Sequence, residues 1–523
     1  MNSRVPRPRV CCAVLAFLAF TAIALAGSAA RAQQPQWPCV FGQPAVNSII
    51  PNDTQLSDQP TFNCFAWQEF IGLNWPAAAG QRGVPDPNAG PADFGKPNAT
   101  APTVWETYKA NTEVFLAGGV RPKPWNDPAP PPPRCATSAP GVRELLAKPG
   151  VRVLSALSAF GDFVLDDTHQ ASGQWLADQA GNLIYYEIKV NQDEFDSIVA
   201  NGFYDGAVQN RTAATGANPT AGGQYQVKLP SGCNAGSCPN NGSPRMGAIE
   251  IKSAWRILTD PSQNSRYLAA QAVLIDKAGA CSPAMMGLVG LHIIHKTVSQ
   301  SQFIWATFEQ VDNVPPASSS AFNNPACHCQ AVIPEACGGS PTTFQNCANG
   351  QTQGQACSAN VPPRTYPPSA SCPAFPIQVA RNRPISNNST DPVVATNTAA
   401  QAMLTAANPN TVFKYYQLID VLWSTSPQDN YTNQPNQPGP VAPLSMSGAT
   451  PDASALPVAN TAMETYVQGL TCLTCHVHAT VPGGNYASDF SFILGGAKSP
   501  PGALAVAPTF RRHLPSGLVK FQQ

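Results

Sequence analysis

Cys472 and Cys475 lie three positions apart and His476 follows directly. This Cys-x-x-Cys-His string constrains the chain more than any other stretch. The spacing puts both thiols on one side of a helical turn. Two thiols so placed form thioethers to the two vinyl groups of one haem, and the adjacent imidazole meets the iron as proximal ligand. Competing readings fit less well. Zinc would crowd Cys472, Cys475, His476 and His478 into seven residues, whereas structural zinc sites draw ligand pairs from separated segments. A thioredoxin-like redox pair would follow a strand in a βαβ unit, and the sequence offers none. A disulfide or two unrelated cysteines is the bland alternative.

The other end of the chain bears on the choice. Arg4, Arg7 and Arg9 precede an apolar run over residues 10–26, and Ala30-x-Ala32 then supplies small residues. This reads as a secretory signal peptide over residues 1–32, with cleavage after Ala32. The apolar run is short for a membrane span, and no second long one occurs. The expected compartment is periplasmic or extracellular. Of 16 cysteines, Cys11 and Cys12 leave with the signal and Cys472 and Cys475 take the haem. An even number remains, expected as disulfides in an oxidising compartment. Their connectivity does not follow from sequence.

Composition narrows the classes of partner. Only 11% of residues are charged, while proline reaches 54 residues and glycine 39. Such a chain has long, stiff connections rather than many exposed amphipathic helices. Without the signal the charge is slightly acidic. No basic stripe suggests nucleic acid, and no basic cluster suggests anionic lipid. No transmembrane segment is expected after signal cleavage. The expected partner is a redox protein.

Periodicity predicts an α+β fold: a mostly antiparallel β body with few short helices and long loops, and a small C-terminal haem-bearing helical element. Residues 33–149 read as a proline-rich N-terminal region with an aromatic helix over 61–75, ended by Pro76. Its aromatic stripe, including Phe62, Phe65 and Phe70, reads as core rather than haem wall. A short helix is predicted within 104–116. Residues 150–315 read as the antiparallel body. Residues 183–190 alternate as a half-buried strand, and Asn191-x-x-Glu194 has the form of a capping box opening a helix. Strand-like runs near 249–257, 267–275, 288–297 and 303–311 suggest a meander. Glu187-Ile188-Lys189 and Glu250-Ile251-Lys252 match locally. Asp166-Asp167-x-His169 reads as a loop or turn.

Residues 316–390 read as a Cys-rich, disulfide-stapled loop region. Within it Cys327-His328-Cys329 fits a disulfide better than a metal site. Residues 391–523 read as the C-terminal c-type haem segment. There 396–406 reads as helix, 412–423 as strand or helix, and Asn460 caps a helix running into the motif.

Cys472 to His476 is similar to the haem motif of c-type cytochromes, which implies a covalent haem c. The family's usual methionine ligand downstream is missing, since no Met follows His476. His478 and Met463 are too near in sequence to reach the far side of the iron. Met403 and Met446 lie upstream, and His513 lies in a polar tail. His292 and His295 sit in one apolar run. At spacing three they face opposite sides of a strand, so at most one meets the haem. Further segments around residues 65–75, 186–195, 287–297 and 305–313 resemble a group of exported bacterial proteins of unassigned function. That resemblance implies one integrated fold and supplies no activity to carry over.

Three functions are therefore expected in order: a monohaem electron-transfer protein; a haem enzyme or gas binder, peroxidase- or oxygenase-like, with an open distal site; and a binding or scaffold module with an accessory haem. The ligand opposite His476 separates the first two.

Overall fold

The apolar run around His292 and His295 lies in the longest strand among the described residues, and the sheet is built outward from it. The computed structural model describes residues 46–54, 58–129, 135–147, 151–155, 174–223, 226–234, 236–238, 244–276, 278–315, 319–363, 371–424, 446–447, 458–476, 479–483 and 486–500. The signal sequence, the 166–169 cluster, His478 and His513 lie outside the described residues.

Among the described residues ten strands form one sheet: β1 Lys109–Ala110, β2 Thr137–Ser138, β3 Arg152–Ser155, β4 Tyr185–Val190, β5 Ile249–Ile257, β6 Ala269–Ile275, β7 Ala280–His295, β8 Ile304–Gln310, β9 Tyr416–Ser424 and β10 Met446–Ser447. The main path runs β1-β4-β5-β7-β8-β9-β10 and is antiparallel throughout. Two short parallel pairings, β2 with β7 and β3 with β6, extend it. The helices are α1 Gln59–Leu73, α2 Asn111–Val114, α3 Val142–Leu146, α4 Gln192–Asn201, α5 Gly206–Thr215, α6 Pro392–Ala407 and α7 Cys472–His476. This is the expected α+β, mostly antiparallel architecture.

The central run differs from a meander. β5 and β6 are not neighbours, because β7 lies between them. At 16 residues β7 is long enough to take two partners along one side, with β6 beside its first half and β8 beside its second. The matching triplets are adjacent in the sheet but offset by one residue, since Ile188 pairs with Lys252 and Val190 with Glu250. Strand alternation therefore sends Glu187 and Lys189 to one face, and Glu250 and Lys252 to the other.

Helix α1 covers the first of these faces. The Asp58 carboxylate accepts from the Thr61 N–H at 2.8 Å, and Pro60 fits the first turn, where its missing N–H costs nothing. The helix is buried nearly all round. Phe62 stacks on Trp423, and Phe70 meets Phe308 at 4.5 Å between ring centroids. The aromatic stripe is core. Helix α6 packs beside α1, where Asn397 accepts from the Trp67 indole at 3.0 Å.

Three further expectations change in detail. Residues 104–116 form a 3-10 turn at Trp105–Thr107, then β1, then α2, because Lys109 and Ala110 pair with β4 instead of continuing a helix. β4 is covered on both faces rather than half-buried: Tyr186 is buried on one side and Lys189 on the other. Helix α4 is capped by the Asn191 side chain accepting from the Glu194 N–H at 3.1 Å, but the Glu194 carboxyl turns into the interior and makes no return bond.

Disulfides join Cys135–Cys281, Cys233–Cys238, Cys327–Cys357, Cys329–Cys347 and Cys337–Cys372, and Cys64 is also disulfide-bonded. Such a set belongs to an oxidising, extracytoplasmic compartment. Cys327 and Cys329 are disulfide sulfurs, as expected, and His328 bonds the Ala326 carbonyl through Nδ1. The 316–390 region is more than a stapled loop. It places Phe322, Phe375, Ile377 and Val379 in the same core cluster as Trp175, Tyr186 and Met463. Among the described residues, no helix is long and apolar enough to cross a membrane.

Candidate functional site

The face of the sheet away from α1 presents a row of cross-strand neighbours, Lys252 on β5, His292 on β7 and Thr307 on β8; Asp420, next in the row on β9, instead accepts from Gln59 Nε2 of α1 at 3.2 Å. The next row holds Glu250, Ile294, Trp305 and Leu422. Residues 458–476 lie on this face and carry the Cys-x-x-Cys-His string.

Asn460 anchors that segment. Its Nδ2 donates to Thr307 Oγ1 at 3.1 Å and to the Phe308 carbonyl at 2.9 Å. Thr461 Oγ1 donates to Glu309 at 2.9 Å, and the Tyr186 hydroxyl donates to the Ala462 carbonyl at 2.7 Å. Gly290 permits this approach: a Cβ there would stand 2.8 Å from Asn460 Oδ1. The helix expected after Asn460 is replaced by successive turns, because these ties to the sheet fix the backbone residue by residue. Met463 is buried in the core cluster rather than poised as a ligand.

Helix α7 then holds Cys472, Cys475 and His476 on little more than one turn. The two cysteines are the only ones among the described residues outside a disulfide. Both are partly exposed, yet the surrounding protein pushes their thiols up, Cys472 the further, chiefly through burial and with the Glu464 charge adding to it.

His476 is the best-defined group in the site. Its Nδ1–H donates to the Phe490 carbonyl at 2.7 Å. Because a carbonyl only accepts, the proton is on Nδ1 and the lone pair is on Nε2. The ring lies between two aromatics, Trp305 at 4.5 Å and Phe492 at 4.9 Å, both edge-on. Burial lowers the imidazole pKa to about 4, and the Lys252 and His292 charges add to this against the Phe490 bond. The ring is neutral at physiological pH, as a metal ligand must be.

The Phe490 carbonyl is aimed by an unusual turn. Asp489 and Phe490 both have left-handed backbones, with φ of 56° and 63°. Neither is glycine, so each carries backbone strain that the surroundings must hold. Asp489 is held by the buried Lys296 ammonium and by the Leu229 N–H at 2.7 Å. Ser488 Oγ closes the turn onto the Ser491 carbonyl at 2.6 Å.

The two histidines of β7 point to opposite faces. His295 is fully buried against α1, bonded to Glu69 through Nδ1 and to the Met246 carbonyl through Nε2 at 2.8 Å. Burial raises the Glu69 carboxyl, only partly offset by His295. His292 is on the motif's face, with Nε2 engaged by Glu464 Oε1 at 3.0 Å. Glu464 sits below its usual range: burial pushes it up, but His292 and Lys252 outweigh that. Met403 lies on α6, on the helical side of the molecule. The Met446 backbone is in β10.

Lys252, Trp305, Glu464 and the Phe490 carbonyl were not readable as site residues. Strand parity alone puts Lys252, His292 and Trp305 on one face, but only the strand order shows that these strands are neighbours. Nothing local marks the Phe490 carbonyl.

No family model matches the chain, and no match was found among the curated proteins or the solved structures.

Proposed function

We propose that this is an exported protein carrying one haem c, attached at Cys472 and Cys475 with His476 as proximal iron ligand, and that it transfers electrons to or from a redox partner protein. The observation that carries the reading is His476: a neutral ring with Nδ1–H fixed on a backbone carbonyl and Nε2 left with the lone pair, one position from a thiol pair outside any disulfide. A hydrogen bond of this kind from the other ring nitrogen orients a histidine for a metal.

The residues fit haem better than zinc. A haem iron takes four ligands from the porphyrin and needs only His476 here, whereas zinc needs three or four from the protein. Among the described residues no three His, Cys, Asp or Glu side chains gather to hold an ion. When bound, the haem supplies a one-electron Fe(II)/Fe(III) couple. The protein holds the imidazole, Trp305 and Phe492 wall it, and burial sets the potential. The signal sequence and the disulfides support a periplasmic or secreted location.

His292 favours one alternative. Its Nε2 is engaged by Glu464 and His295 is on the other face, so among the described residues neither β7 histidine is held ready as a second iron ligand, which supports a haem enzyme or gas binder with an open distal site. Visible spectra of the haem-loaded protein test the choice. Electron transfer predicts low-spin bands in both oxidation states, unchanged by CO. A high-spin ferrous spectrum that shifts with CO rejects it in favour of the open site.

A further inference from the structure

Two buried carboxyls on the motif's side of the sheet lack the partners that buried charge requires. Glu194, fully buried on α4, has no hydrogen-bond partner at either carboxyl oxygen. Glu250, on β5, has none at Oε1 and bonds Ser491 through its side chain. The two interact directly, and both feel Asp489 and the Lys296 ammonium. Lys228 also acts on Asp489. Lys252 stands two residues along the same face of β5, facing Glu464. Two ammoniums, the buried Lys296 and the half-buried Lys228, face three buried carboxyls, which leaves negative charge uncompensated, and a proton is the simplest ligand that relieves it.

The cluster reaches His476 by two routes. Ser491 and Asp489 flank Phe490, whose carbonyl holds the His476 Nδ1–H. Across the sheet, Glu250 pairs with Ile294 and Ile294 with Trp305, whose ring touches His476. Two strand spacings are about 10 Å.

We propose that Glu194 and Glu250 form a shared proton-binding site coupled to the oxidation state of the iron at His476. The inference rests on the haem reading above. When a one-electron donor protein reduces the iron, the pair's proton affinity rises and on the order of half a proton per iron is taken from solvent near neutral pH; when an acceptor oxidises it, the electron and that proton leave separately. No covalent bond changes other than the carboxyl O–H. Burial raises both carboxyls, the Glu250 charge adding to it at Glu194 and the Asp489 charge at both, with Glu250 at about 7, so exchange falls near neutral pH. As the two are coupled, the proton belongs to the pair. A unit charge roughly 10–15 Å away changes proton affinity by up to about tenfold, which for a one-electron couple is up to about 59 mV.

The test is the midpoint potential of the haem-loaded protein from pH 5 to 9, with redox-difference infrared spectra in the carboxylic C=O region. The wild-type potential is expected to fall by up to about 59 mV in total across neutral pH, with a carboxylic band gained on reduction. Glu194→Gln combined with Glu250→Gln should flatten the potential and remove the band. A wild-type potential independent of pH, or no carboxylic band in the wild type, overturns the proposal even if the variant does not fold. A pH dependence unchanged in the variant also overturns it. Absence of covalent haem overturns the haem reading itself and is seen at once in the spectrum.

Discussion

The Nδ1–H of His476 donates to the carbonyl oxygen of Phe490 at 2.7 Å. This bond joins the motif to a strained turn that the buried Asp489–Lys296 pair holds in place. In haem-free Cys472→Ser/Cys475→Ser protein, His476 should stay neutral down to about pH 4. Its folded pKa is lowered below the unfolded 6.5, so the stability it confers is complete above 6.5 and is lost as pH falls through about 4. Imidazole NMR against pH checks this, and titration of His476 near 6.5 would contradict it.

Glu250 works with the opposite sign. Its folded pKa is raised from 4.5 to about 7, so its contribution to stability is complete below 4.5 and is lost as pH rises through about 7. The loss is about 3 kcal/mol. Urea unfolding of haem-free protein at pH 5 and pH 8 should show this decline, and Glu250→Gln should reduce it.

Trp305 is buried beside His476, while Phe492 on the other side is 46% exposed. Trp305→Ala should cost about 3–5 kcal/mol of unfolding free energy. Phe492→Ala should cost about 1 kcal/mol or less. Equal losses in urea titrations would contradict this placement of the two rings.

Gly290 is the contact point between β7 and Asn460. Gly290→Ala sets a methyl group 2.8 Å from Asn460 Oδ1 and should cost about 1–3 kcal/mol. Adding Asn460→Ala should recover part of that clash, which a double-mutant cycle by urea unfolding measures.

The Cys135–Cys281 disulfide ties residues separated by 146 positions onto the first half of β7. Replacing both cysteines with serine should lower stability by about 2–5 kcal/mol. Thermal unfolding checks this, and an unchanged midpoint would contradict it.

The sequence showed local facts and missed relational ones. The Phe62, Phe65, Phe70 stripe, the Asn191 cap and the parity that separates His292 from His295 all follow from periods of 3.6 or 2, and appear where expected. The order of strands does not, because β7 takes β6 and β8 along one side by virtue of a length that Pro283 gave no reason to expect. The Cys135–Cys281 pairing and the Glu194–Glu250 interaction depend on that order. The turns after Asn460 arise the same way: a good local cap is overridden by bonds to β8.

The central claim is that Cys472 and Cys475 carry a haem. The direct measurement is the intact mass of protein exported from a host with c-type haem attachment machinery. The predicted result is the chain plus one haem, lost in Cys472→Ser/Cys475→Ser. A wild-type mass without haem, with Cys472 and Cys475 joined to each other as a disulfide, would contradict it.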